Sequence, residues 1–337
     1  MIRNMKNWIE EILASKNRQV LPIMTYPGLL YTGKKISDLV TNGEEHYKCI
    51  KALSDHYPTA ASVVVMDLSL EAQAFGCNII VSDDDVPTIK ERLISEPSKI
   101  AGIKVPKVGA GRTGEYLKAG KLASENIKNK PVLAGMIGPY SLAGRLYDMT
   151  EMMMVVLTDP DAAHDLLTKC CSFLKEYSLA FKNEGCNGIV IAEPAAGLLS
   201  KEMCDEFSSK YVRQIVEYVQ DETFMVILHN CGNTVELVST MVSTNAFGFH
   251  FGNAVNMMDI LPQVPSDRLV CGNIDPARVI KAETAENVKK IVMELLNKTH
   301  QYKNYVLSSG CDVPPRTPKE NIDAFFEALV EYNLSLN

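Results

Sequence analysis

The chain has 337 residues, 46% of them hydrophobic and 22% charged, a globular balance that excludes a disordered or low-complexity protein. Its net charge of −7 comes without any basic stripe, which argues against nucleic-acid binding, and no apolar run approaches the roughly 18 residues of a membrane span. The nine cysteines are an odd number, and the N-terminus reads as an amphipathic helix rather than a secretory signal. Both features point to a reducing, cytoplasmic setting in which cysteines serve as thiols or metal ligands.

Taken in order, residues 1–20 read as an N-terminal helical extension. Seven short, β-branched, nearly continuous apolar runs follow at 62–67, 132–138, 188–193, 224–229, 246–250, 269–273 and 305–309, the pattern of strands covered on both faces. Helical segments alternate with them. Asp159-Pro160 and Asp275-Pro276 place a capping acid before a proline at the first helical position. Ser200 reads as the cap of a helix over 201–219, and Thr317-Pro318-Lys319-Glu320 as a capping box. The run Met152-Met153-Met154 reads as helix core.

This alternation implies a parallel sheet. A (β/α)8 barrel needs about 250 residues, so the expected fold is α/β, one TIM-barrel domain over 1–337 with the helical extension in front. The eighth strand falls either near 20–25 or within the long stretch 81–131, whose Asp83-Asp84-Asp85 and 109–114 segments read as a surface excursion. An open doubly wound sheet is the alternative. Gly109, Gly111 and Gly114 form a GxGxxG, but no clear strand precedes it, and it carries no dinucleotide reading.

The residues that carry chemistry gather at strand ends. His229-Asn230-Cys231-Gly232 runs off the fourth strand. Residues two apart on a strand point the same way, so His229 and Cys231 can face one site. Cys311 lies just past the last strand, and in a barrel such ends crowd one rim. A Cys2His set is a known catalytic zinc arrangement, and the about 80 residues between Cys231 and Cys311 do not suit a zinc finger. Cysteine is also among the most buried residue types, which leaves packing open. Glu193 ends another strand and reads as a fourth ligand or an acid/base, with a loop hydrogen bond as the plain alternative. His250 reads as a substrate contact or a hydrogen-bonded core histidine, and Asp67 as a further rim acid. The other seven cysteines show no ligand pairing.

Leu228-His229-Asn230-Cys231-Gly232-Asn233-Thr234, Gly310-Cys311-Asp312 and Thr317-Pro318-Lys319-Glu320-Asn321 resemble the uroporphyrinogen decarboxylase superfamily, and within it the zinc-dependent methyltransferases that act with corrinoid proteins. Gly138-Pro139 with Leu142-Ala143-Gly144-Arg145, Gly272-Asn273-Ile274-Asp275-Pro276, and Asp67 with Leu70-Glu71-Ala72-Gln73-Ala74-Phe75-Gly76 fit the same pattern, which covers about 20–329. The resemblance implies a TIM barrel, zinc on His229, Cys231 and Cys311, and Glu193 as a displaceable extra ligand. It also implies methyl transfer between a small-molecule methyl donor or acceptor, a methyl ether or a thiol, and the cobalt of a corrinoid. No Asp-x-His-x-x-Gly motif supplies a cobalt ligand, so the corrinoid is expected on a separate partner protein.

Two other readings stay in play. A decarboxylase of the superfamily grips porphyrinogen carboxylates with arginines, yet 21–28 contains none. A catalytically silent barrel would hold a closed structural zinc with four protein ligands.

Overall fold

The computed structural model describes residues 3–336. The apolar runs become seven parallel strands: β1 (Ser62–Val63), β2 (Val132–Ile137), β3 (Gly188–Ala192), β4 (Met225–Asn230), β5 (Gly248–Phe251), β6 (Leu269–Ile274) and β7 (Tyr305–Ser309). They pair in chain order, each with the next, in a curled TIM-barrel-like sheet wrapped by helices. The register sets Ala192 beside His229 and His229 beside His250.

The eighth position is filled by the extended segment at 19–25, the first of the two places the sequence offers. The Leu21 amide donates to the Leu307 carbonyl (2.8 Å) and the Leu307 amide to Gln19 (3.0 Å). On the other flank the Ala60 amide donates to Val20 (2.8 Å) and the Thr25 hydroxyl to Val63 (2.8 Å). The stretch 81–131 adds no barrel strand. Thr88–Ile89 pairs with Ile79–Ile80 as an antiparallel hairpin beside the mouth, and Thr113–Asn126 is a helix.

Strand alternation divides the core in two. Leu133, Val190, Met225, Ile227, Leu269 and Val306 point into the barrel, while the opposite faces pack on the helices. The N-terminal helix α1 (Met5–Ala14) closes the lower end. Its buried residues Met5, Trp8, Ile9 and Ile12 follow the i, i+3, i+4, i+7 stripe and join the inward cluster. With that end plugged, access to the interior is from the rim where the strands finish.

Caps at Asp159, Ser200 and Asp275 form as the sequence predicts. The capping box at Thr317 does not: its hydroxyl turns back to the Pro314 carbonyl (2.8 Å), and the final helix starts at Lys319 without a side-chain cap. Of the three consecutive methionines only Met152 is buried, because successive helix positions turn about 100° away from the core; Met153 and Met154 are exposed. All nine cysteines are free thiols. Among the described residues no helix is long and apolar enough to cross a membrane.

Candidate metal centre

His229 is the last inward-pointing residue of β4. Asn230 then breaks the strand: its side-chain amide donates to the Glu193 carbonyl (2.7 Å), and its Oδ1 accepts from the Gly232 amide (2.8 Å). This turn carries Cys231 over the rim. Gly252, past β5, lies so close that a Cβ there would sit 2.4 Å from Cys231 Cα, so only glycine lets the two loops approach. The Gly310 amide bonds the Ile274 carbonyl (2.6 Å) and the Val313 amide bonds Ile23 (2.9 Å), which fixes Cys311 between them.

The result is one cluster. A ligand atom from each of His229, Cys231 and Cys311 lies within 4.8 Å of the others. The Cys311 thiol, hydrogen-bonded to its neighbour, is pushed up to about 12, and Cys231 is pulled down to about 7. The hydrogen bond between the two thiols favours ionisation of one of them, and a bound dication would favour the thiolates further.

A chain of hydrogen bonds behind His229 sets its tautomer. The Ser308 hydroxyl donates to the Leu21 carbonyl (2.7 Å), an acceptor only. Ser308 Oγ therefore accepts from His250 Nε2–H (2.8 Å). Burial and the neighbouring His229 hold the pKa of His250 well below the usual histidine range, so the ring is neutral. Its Nδ1 keeps a lone pair and accepts from His229 Nδ1–H (2.8 Å). In the neutral ring this places the His229 proton on Nδ1 and the lone pair on Nε2, the tautomer that would suit a metal. His250 thus fixes the His229 ring and is not part of the cavity lining. Ser308 escaped the sequence reading, although it lies two residues beyond inward-facing Val306.

Glu193 is not brought into the cluster. It follows inward-facing Ala192, so its side chain turns outward to the start of helix α2 (Pro139–Tyr147). There its oxygens accept from the amides of Tyr140 (3.1 Å) and Ser141 (2.6 Å). Burial raises it to about 7 against those bonds. A Cβ on Gly138 would sit 2.2 Å from the carboxylate, so the helix entry is shaped around it.

Asp67 reaches the mouth, but its oxygens are already engaged. Oδ1 accepts from the Ser69 amide (2.9 Å) and hydroxyl (2.6 Å), and Oδ2 from Arg112 (2.6 Å) and Tyr116 (3.1 Å). Arg112, which lies inside the glycine-rich 109–114 segment, is buried with it. This is a structural ion pair and not a free acid.

The three residues open into a cavity of about 280 Å3, walled by Met66, Leu68, Val86, Pro87 and Ile89, with Tyr26, Arg145 and Asp312 as further polar lining. Asp312 follows Cys311 and keeps one buried oxygen without a partner. None of these three was a sequence candidate: Tyr26 and Asp312 lie in segments with no periodicity to read, and Arg145 is an exposed position of α2.

The uroporphyrinogen decarboxylase (URO-D) family model matches residues 13–332. The chain belongs to that family. It is 27% identical over 273 residues to the methylcobamide:CoM methyltransferase MtbA of Methanosarcina acetivorans, covering 80% of this chain and 79% of that one. It is 24% identical over 278 residues to a uroporphyrinogen decarboxylase of Prochlorococcus marinus, covering 79% and 78%. Among solved structures, a methyltransferase from Methanosarcina mazei superposes with a TM-score of 0.87 at 21% identity over 98% of this chain and 99% of its own. A B12-independent methionine synthase from Shewanella superposes at 0.60 with 14% identity over 95% and 96%. Both share the fold.

Proposed function

We propose that this member of the family is a methyltransferase that moves a methyl group between a small molecule seated at a zinc ion and the cobalt of a corrinoid on a separate protein. The observation that carries the reading is the cluster of one imidazole and two thiols within 4.8 Å at the open rim. The residues fit zinc: the donors are soft, one thiol is already poised to ionise, and the histidine tautomer is set from behind. Zinc bound there would act as a Lewis acid, favouring the thiolate of a thiol substrate or polarising a methylated heteroatom. The protein's own residues hold the ligands, wall the substrate in apolar surface and leave the mouth open to a partner.

Two observations favour this over the other readings. Among the described residues no fourth His, Cys, Asp or Glu joins the cluster, which leaves an exchangeable position and speaks against a closed structural zinc. Among the described residues Arg145 is the one arginine lining the cavity, too few to grip a porphyrinogen's several carboxylates. The similarity to methylcobamide:CoM methyltransferases supports the corrinoid partner.

The test loads the protein with zinc and screens thiols against methylcobalamin, and methyl ethers against reduced cobalamin, reading the cobalt spectrum. A substrate-dependent spectral change that Cys311→Ala abolishes is the expected result. Full zinc content and activity in Cys311→Ala, or decarboxylation of a porphyrinogen without corrinoid, overturns the proposal.

A further inference from the structure

Buried polar atoms in folded proteins almost always find a partner, so one that does not calls for a reason. Among the described residues with such an atom, Asp312 is the one that lines the cavity of the metal centre. Its Oδ1 is buried and bonds nothing. The main-chain amides of Val313 and Thr25 stand toward the carboxyl, and no cation pairs with it among the described residues. It also stays outside the cluster formed by His229, Cys231 and Cys311, so it neighbours the metal position without joining it.

Tyr26 stands next to it. The 19–25 segment lies against β7, and the Val313 amide donates to the Ile23 carbonyl (2.9 Å). This brings the short turn Tyr26–Gly28 alongside the residues that follow Cys311. Tyr26 is buried and lines the same cavity, and its phenol is raised well above the ordinary tyrosine range by burial and then by the nearby Asp312. Its hydroxyl has no hydrogen-bond partner among the described residues. A hydroxyl donor and a carboxyl, both unanswered by protein, thus share the cavity wall beside Cys311.

The chemistry of that pair selects its guest. A hydroxyl carries one donor and two lone pairs, so it accepts from the Tyr26 O–H and still bonds Asp312. It donates to a carboxylate and accepts from a carboxylic acid, so the match holds in either state of Asp312. An ammonium group serves only the carboxylate and has no lone pair for Tyr26, and a bound carboxylate or sulfonate has no hydrogen to give. A site built to bond a hydroxyl discriminates strongly against the analogue that lacks it, because its own buried groups are then left unpaired.

We propose that Asp312 and Tyr26 form a hydroxyl-binding subsite beside the metal, and that the small molecule held there carries a hydroxyl close to its thiol or methylated oxygen. The proposal rests on the metal reading above.

The test measures binding to the zinc-loaded protein by calorimetry for two pairs that differ only by hydroxyl against methyl, 2-mercaptoethanol against 1-propanethiol and 2-methoxyethanol against 1-methoxypropane. In at least one pair the hydroxyl compound binds about tenfold tighter or more; Asp312→Ala removes the preference, Asp312→Asn keeps part of it and Tyr26→Phe reduces it. Zinc measured by atomic absorption stays at about one ion per chain in all three variants, and unchanged thermal melting shows that they fold. Equal binding within both pairs, a preference that survives in Asp312→Ala, tighter binding of 2-aminoethanethiol than of 2-mercaptoethanol, or loss of zinc in Asp312→Ala overturns the subsite. Failure of all the probes to bind a wild type that holds zinc overturns it too and leaves the zinc reading standing. A wild type that holds no zinc overturns the zinc reading and this proposal with it.

Discussion

The two sides of the cavity mouth are both built around polar residues and are left in opposite states. Around Asp67 every oxygen is engaged: Arg112, Tyr116 and Ser69 take both, and Arg112 continues to the Gln73 side chain (2.7 Å) and the Val40 carbonyl (3.2 Å). Around His229 the hydrogen bonds run from Leu21 through Ser308 and His250 to His229 Nδ1, and beyond it His229, Cys231 and Cys311 meet only one another, the two thiols sharing a hydrogen bond. A saturated buried network stabilises and positions, whereas a cluster of soft donors that bond only one another at an open cavity suits the metal proposed here.

The largest expected effect is on the open side. Cys311→Ala takes zinc from about one ion per chain to almost none after dialysis, measured by atomic absorption, because two ligands do not hold a site that needs three. Retained stoichiometric zinc would place the metal elsewhere. On the saturated side, Arg112→Met leaves Asp67 buried without its counter-charge and lowers stability by about 3–5 kcal/mol in urea unfolding. Adding Asp67→Asn recovers most of that loss. A single-variant cost near zero would mean the pair is not closed to solvent, and would blur the contrast.

Ser308→Ala and His250→Ala remove the support and not the ligands. Each weakens zinc by about 10–100-fold in chelator competition while leaving one ion per chain at saturation. An unchanged affinity would show that His229 needs no tautomer control. The smallest effect belongs to Glu71, outside both sites. Burial raises it to about 8, one oxygen accepts from the Ile137 amide (3.1 Å) and the other has no partner. A carboxyl raised in the folded state favours the protonated form, so its contribution to stability is full below the ordinary 4.5 and falls as pH rises toward 8. From pH 6 to pH 7 the wild type therefore loses on the order of 1 kcal/mol that Glu71→Gln does not lose. Parallel pH curves for the two proteins would remove Glu71 as the cause.

The clustering of His229, Cys231 and Cys311 was legible because strand alternation is local. His229 and Cys231 lie two apart at a strand end, and the strand just before Cys311 is read from the run that becomes β7. Glu193 shows where that logic stops. It ends its strand as His229 ends another, yet it is one step out of the inward phase, and the amides of α2 capture it. Asp67 stands at a strand end too, and an arginine 45 residues later decides its chemistry.

Sequence alone determined the α/β alternation, the seven strands and the candidate cluster of soft donors, because hydrophobic period and residue type report what a short segment does. The tertiary structure decided the rest. It brought 19–25 between β7 and β1, lined up Leu21, Ser308 and His250 behind His229, turned Glu193 away and left Arg145 unpaired in the cavity. Each of these depends on which groups meet across the closed sheet. A hydrogen bond made or left unmade between residues up to 287 positions apart has no signature within either segment.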